Sequence, residues 1–289
     1  MTEDMARRSA QARWSGLGLR VLTGALLAPP VLLAVYLGPP YSDALLIVAG
    51  GIAAWEWTRL CRQGHWDLCV SIAVASVVLS VAAAASGAPT VAGWLAAAGA
   101  MAVLLCAARK GAQAEAAWAS LGVAYLAPAF LAFQWLRGQG DGGLGNGGLA
   151  DEGLWTVMWL IALVWATDVG AYFAGRQLGG PKLLPAVSPK KTWAGLGGGM
   201  LAAAGVGLVA AELGRGVSVG PGWALALASA ALAIVAQLGD LLESSLKRRF
   251  GVKDSSALIP GHGGLLDRID GLLSVVLVYG AYRVMAAQV

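Results

Sequence analysis

The sequence predicts an all-α protein that crosses a membrane about nine times, with its N-terminus in the cytoplasm. Three observations carry this reading. The chain is 58% hydrophobic and only 12% charged, with a mean hydropathy of +0.69, a balance unsuited to a water-facing surface. Its apolar residues fall into runs of about 20, the length an α-helix needs to cross a hydrocarbon core of roughly 30 Å. Backbone groups in lipid must be satisfied within the segment, so runs of this length are helices and not strands. Finally, all but Arg137, Arg215 and Arg283 of the 20 basic residues fall on one side of the alternating loops, which the positive-inside rule assigns to the cytoplasm.

The first span, 17–37, follows Arg7, Arg8, Arg13 and Arg20. A signal peptide cleaved near Ala28 would have similar flanks, but the apolar run continues through Pro29-Pro30 to Leu37, long enough to cross. Further spans are expected at 42–59, 68–86, 89–108, 117–136, 154–175, 194–213, 222–243 and 271–288. Basic residues mark alternate exits: Arg59 and Arg62, Arg109-Lys110, Arg176 to Lys191, and Lys247 to Arg268. The C-terminus then lies outside.

Several features carry no chemistry. The 12 tryptophans suit lipid–water boundaries, and the 41 glycines suit close helix packing, as the small-residue pair Gly195 and Gly199 suggests. Cys61, Cys69 and Cys106 lie in or beside apolar runs without C-x-x-C spacing and read as packing residues, not as a disulfide framework or zinc site. The net charge of +4 is scattered over span ends and shows no nucleic-acid motif. The loop Gly138–Gly148 lacks the Gly-Lys-Ser/Thr ending of a P-loop and reads as an external linker. His65 reads as an interfacial residue.

Chemistry concentrates in Ser244–Gly271, S-S-L-K-R-R-F-G-V-K-D-S-S-A-L-I-P-G-H-G-G-L-L-D-R-I-D-G, between the last two spans. Asp267 and Asp270 are spaced i, i+3, on one face if the ninth span begins there. With Asp240 at the end of the preceding helix, three carboxylates can converge, a hard-oxygen set of the kind Mg²⁺ takes. The plain reading of Asp267 and Asp270 is that they answer a helix dipole. Asp168 and Asp240, within the ends of apolar runs, need a cation or a partner, and a structural pair with a neighbouring Lys or Arg is the plain alternative. Glu243, one turn beyond Asp240, either shares that cation or is simply solvated. Lys190 and Lys191 precede a helix N-terminus, where free N–H groups also hold phosphate, and Ser188 and Thr192 offer hydroxyls. His262 stands among Gly261, Gly263 and Gly264, which let the backbone approach a ligand closely; it serves binding, proton transfer or loop shape. Arg249 reads as a topology signal.

This stretch resembles the signature of the phosphatidate cytidylyltransferases. Ser244, Lys247-Arg248, Lys253-Asp254, Pro260, His262-Gly263-Gly264, Asp267-Arg268 and Asp270 match it without a gap. Thr167-Asp168 and Ser188-Pro189-Lys190-Lys191-Thr192 also look like family elements, whereas the first 150 residues match only in being hydrophobic. The resemblance implies that CTP and phosphatidic acid give CDP-diacylglycerol and pyrophosphate. It implies catalytic roles for Asp240, Lys253, Asp254, His262, Asp267 and Asp270, and substrate binding by Ser188, Lys190, Lys191, Thr192, Ser244, Lys247, Arg248 and Arg268. Mg²⁺ or Mn²⁺ is expected on Asp240, Asp267 and Asp270, with Asp168 a further candidate; whether a monovalent cation joins it is open. On this reading residues 1–110 are N-terminal membrane helices and 111–289 the catalytic membrane region. The expected partners are the two substrates and the bilayer, with no nucleic acid and a homodimer left open. The expected location is a bacterial inner membrane, with the active site at its cytoplasmic face. Two alternatives fit fewer features: a CTP-dependent polyprenol or dolichol kinase, and a transporter using intramembrane carboxylates, whose charges would lie nearer mid-membrane in related halves.

Overall fold

The computed structural model describes residues 18, 22–109, 113–139, 151–213 and 221–287. The chain is an all-α polytopic membrane protein. Its helices are α1 (Leu22–Leu37), α2 (Tyr41–Cys61), α3 (Leu68–Ala85), α4 (Pro89–Ala108), α5 (Gln113–Arg137), α6 (Glu152–Gln177), α7 (Trp193–Glu212), α8 (Gly222–Arg249) and α9 (Leu266–Ala286). Among the described residues, the eight helices α2 to α9 are long and apolar enough to span a membrane, and α1 is shorter. Residues 17 and 19–21 of the expected first span, and most of the Gly138–Gly148 loop, lie outside the described residues.

Local chemistry sets the boundaries. Asp67 caps α3 by accepting from the Val70 N–H at 3.1 Å, and Asp151 caps α6 through the Leu154 N–H at 2.9 Å. Pro89 opens α4, where its missing N–H costs nothing. The α6–α7 connection holds the two strands found among the described residues. Strands β1 (Lys182–Leu184) and β2 (Ser188–Thr192) pair antiparallel, Lys182 opposite Thr192 and Leu184 opposite Ser188. Pro185 sits at the second position of the turn between them, closed by the Val187 N–H on the Leu184 carbonyl at 3.2 Å. A lysine-rich S-P-K-K-T segment gives no alternating apolar signal, so this hairpin was not expected from periodicity.

Helices α2 to α5 pack on one another, α6 to α8 pack on one another, and α9 lies against both α8 and α5. Small residues bring the second group close. A Cβ on Gly170 would lie 2.6 Å from the Gly198 carbonyl oxygen, and one on Gly199 would lie 2.9 Å from that of Thr167, so α6 and α7 meet backbone to backbone. The Gly195/Gly199 pair is therefore a helix contact, as its spacing suggests. Cys61 and Cys69 are buried, and Cys69 meets Cys106 between α3 and α4.

The two ends of the bundle differ in chemistry. At one, Arg137 is 2% exposed and pairs with Asp151 at 2.8 Å while donating to the carbonyls of Val35 and Tyr36, tying α1, α5 and α6 together. At the other, Arg59, Glu115 and Arg249 line one cavity with Asp254 and Ser255, so the ends of α2, α5 and α8 gather there.

Candidate active site

The C-terminal half of α8 presents Asp240, Glu243 and Lys247 at helical spacing, and the first turns of α9 present Asp267 and Asp270 opposite them. All five line a cavity of about 430 Å³, together with Asp168, Asp254 and Arg268. Carboxylate oxygens of Asp240, Glu243 and Asp270 lie within 4.8 Å of one another. Glu243 is only 2% exposed. Its Oε2 accepts from Lys247 Nζ at 2.6 Å, but its buried Oε1 has no hydrogen-bond partner. Three carboxylates this close repel unless a cation separates them. An all-oxygen donor set with an unsatisfied buried oxygen is the arrangement a hard divalent cation completes.

Asp267, expected with Asp240 and Asp270, lines the same cavity, but its carboxylate stands outside this close trio. Its Oδ1 accepts from Lys247 Nζ at 2.6 Å; its Oδ2 accepts from the Ser255 N–H at 2.9 Å, the Ser255 hydroxyl at 3.0 Å and the Gly264 N–H at 2.8 Å. One oxygen ties α9 to Lys247 of α8 and the other ties it to the loop. Residues i and i+3 share a face, but they still diverge enough for Asp267 to meet the loop and Lys247 while Asp270 meets Asp240 and Glu243. Glu243 takes the third place. Lys247, 8% exposed, joins the two sets, bridging Glu243 and Asp267.

The remaining expected residues divide between two cavities and the framework. Lys191, from β2, reaches Asp240 Oδ2 at 2.7 Å, so the hairpin delivers a cation to the trio. Ser244 donates to Asp240 Oδ1 at 3.1 Å. Lys253, Pro260 and His262 line a second cavity of about 460 Å³, which shares Asp254 and Arg268 with the first. Arg268 donates twice to the His262 carbonyl, at 3.0 and 2.7 Å, holding the glycine-rich turn. His262 Nδ1 lies 2.7 Å from the Thr23 hydroxyl. Lys190 is exposed on β2 and has no ion pair among the described residues. Ser188 is half-buried at the start of the strand, and Arg248 donates to the Val252 carbonyl at 3.2 Å. Thr192 is turned away from both cavities: it is 5% exposed and caps α7 by accepting from the Gly195 N–H at 3.0 Å. Arg249 stacks over Trp118, away from the trio.

One carboxylate from the N-terminal half reaches the signature. Glu56, in α2, accepts from the hydroxyls of Ser255 and Ser256 and from the N–H groups of Leu265 and Leu266. Its only mark in the sequence is a glutamate between Trp55 and Trp57 in an apolar run.

A profile of the cytidylyltransferase family matches residues 18–286. The chain belongs to that family. It is 51% identical over 132 residues to a phosphatidate cytidylyltransferase of Brucella suis biovar 1 (strain 1330), covering 45% of this chain and 48% of that protein. The corresponding Haemophilus influenzae protein is 46% identical over 127 residues, covering 43% of this chain and 44% of its own, and that of Staphylococcus epidermidis 44% over 128 residues, covering 43% and 47%. The chain thus spans about half the length of the curated relatives it matches.

Proposed function

We propose that this cytidylyltransferase-family protein is a CTP:phosphatidate cytidylyltransferase, joining the phosphate oxygen of phosphatidic acid to the α-phosphorus of CTP and releasing pyrophosphate. The observation that carries the reading is the trio Asp240, Glu243 and Asp270, with an unsatisfied buried oxygen, facing one cavity with Lys247 and Arg268. The names of the relatives agree with it. A carboxylate trio beside fixed cations suits displacement at phosphorus, where the charge to be neutralised is spread over phosphate oxygens.

Asp240, Glu243 and Asp270 would hold Mg²⁺ or Mn²⁺, with Asp168 nearby in the same cavity. When bound, the ion would supply neutralisation of the charge on the phosphate oxygens. Lys191 neutralises Asp240 and sets a fixed positive charge beside the trio, suited to a phosphate. Lys253, Arg268 and the backbone around His262 line the adjoining cavity, suited to the polyphosphate of the nucleotide. No protein nucleophile is needed, and the residues act by orienting two phosphates in line. The attacking phosphate belongs to a lipid, so the site must lie at a membrane surface open to a soluble nucleotide. The concentration of basic residues in these loops supports the cytoplasmic face of a bacterial membrane as that surface.

Purified protein in detergent, given CTP, phosphatidic acid and Mg²⁺ with no membrane gradient, should form CDP-diacylglycerol and pyrophosphate in equal amounts. Folded protein that yields neither product overturns the reading.

A further inference from the structure

Glu56 lies about two hundred residues from the segment it touches, and the trio and the signature leave it without a role. It is 0% exposed, in a helix apolar enough to span a membrane. A carboxylate in such a place costs several kcal/mol unless donors surround it. Four donors do so, and all come from the signature segment: Ser256 Oγ at 2.6 Å and the Leu265 N–H at 3.0 Å on Oε1, and Ser255 Oγ at 3.1 Å and the Leu266 N–H at 2.7 Å on Oε2.

Two of these donors are backbone groups at the start of α9. A helix N-terminus leaves its first N–H groups without intrahelical acceptors. The residue at the cap position, Leu265, has no side chain able to accept them. Glu56 is therefore the cap of α9, supplied from α2, and its charge is favourable at the positive end of the helix dipole. The Ser255 hydroxyl is within reach of both Glu56 Oε2 and Asp267 Oδ2, so one serine lies between the two carboxylates. From Asp267 the path runs to Lys247 at 2.6 Å and from Lys247 to Glu243 at 2.6 Å. Gly264 shows how tight the joint is: a Cβ there would run into Ser255 Oγ and the Glu56 carboxylate.

We propose that Glu56 is a positioning residue for the transfer reaction, clamping residues 253–266 to α2 so that Asp267, Lys247 and the first turn of α9 present Asp270 and Glu243 in register. The kinetic part rests on the function proposed above; the clamp itself does not. It makes α2 a working part of the site although it lies outside the signature.

The test combines amide hydrogen exchange with kinetics on Glu56→Gln in the full-length protein. The amide keeps the shape but offers one acceptor oxygen to four donors. Exchange in residues 253–266 should accelerate about tenfold or more, with α3 and α4 unchanged. The rate kcat with saturating CTP and phosphatidic acid should fall about tenfold or more, with a smaller change in KM for CTP. Ser256→Ala, removing one contact, should move both in the same direction by less, and it carries the test alone if Glu56→Gln does not fold. Unchanged exchange in 253–266 overturns the clamp, as does acceleration spread evenly over α2 to α5, which marks a merely structural residue. Accelerated loop exchange with kcat per folded molecule unchanged overturns the positioning role. Accelerated loop exchange in a protein whose wild type makes no CDP-diacylglycerol keeps the clamp and removes the proposed reaction.

Discussion

Lys191 Nζ lies 2.7 Å from Asp240 Oδ2, joining the β-hairpin before α7 to the acidic face of α8. The pair is partly exposed, so its worth to folding is small, about 1 kcal/mol or less. It places a cation beside three carboxylates. Lys191→Met should leave the unfolding temperature nearly unchanged and lower kcat/KM for CTP about 100-fold. Lys253→Ala, from the adjoining cavity, should act mainly on the KM for CTP. Steady-state kinetics with varied CTP, beside thermal unfolding in detergent, separate the two effects. Well-folded variants with unchanged CTP dependence would reduce both lysines to topology signals.

Asp267 and Asp270 should respond differently to the same substitution. Asp267→Asn strips a buried lysine of one partner and weakens three loop contacts, a change of the kind that costs roughly 3–5 kcal/mol. It should lower the unfolding temperature clearly. Asp270→Asn and Glu243→Gln touch the trio instead and should fold, with activity lowered about 10- to 100-fold and the residual rate needing more Mg²⁺. A Mg²⁺ titration of activity for each variant checks this; a normal Mg²⁺ requirement in both trio variants would count against a cation there.

The contrast between these aspartates also marks where sequence reading ended. Spans, basic loops and the signature were legible because apolar length, charge asymmetry and fixed spacing are local properties. Which carboxylate meets which donor is not local. Spacing put Asp267 and Asp270 together, but the N–H groups that claim Asp267 belong to Ser255 and Gly264, in a loop whose path periodicity does not describe. Glu243 was visible as a neighbour of Asp240, yet its burial depends on α9. Glu56 had only the anomaly of a charge in an apolar run, and its partners were unreadable without the fold.

Arg137 gives a control far from the chemistry. Its buried pair with Asp151 and its bonds to the carbonyls of Val35 and Tyr36 hold three helices. Arg137→Met leaves Asp151 uncompensated and should destabilise by roughly 3–5 kcal/mol. The KM for CTP of the surviving folded protein should stay near that of the wild type. Thermal unfolding and CTP kinetics on the same preparation test both halves.

Orientation can be read from accessibility. In a background lacking the three native cysteines, Ser86→Cys, in the exposed α3–α4 turn, should react with an impermeant thiol reagent in sealed right-side-out vesicles. Lys190→Cys and Lys253→Cys should react only after permeabilisation. The reverse pattern would invert the topology drawn from the basic loops.

The most direct measurement follows the two ends of the CTP phosphate chain. Purified protein with phosphatidic acid and Mg²⁺ is given CTP labelled at either the α- or the γ-phosphorus. Transfer of a cytidylyl group predicts that the α-label enters the lipid while the γ-label leaves entirely as pyrophosphate. Appearance of the γ-label in lipid, with the α-label retained in CDP, would make the protein a kinase and contradict the account.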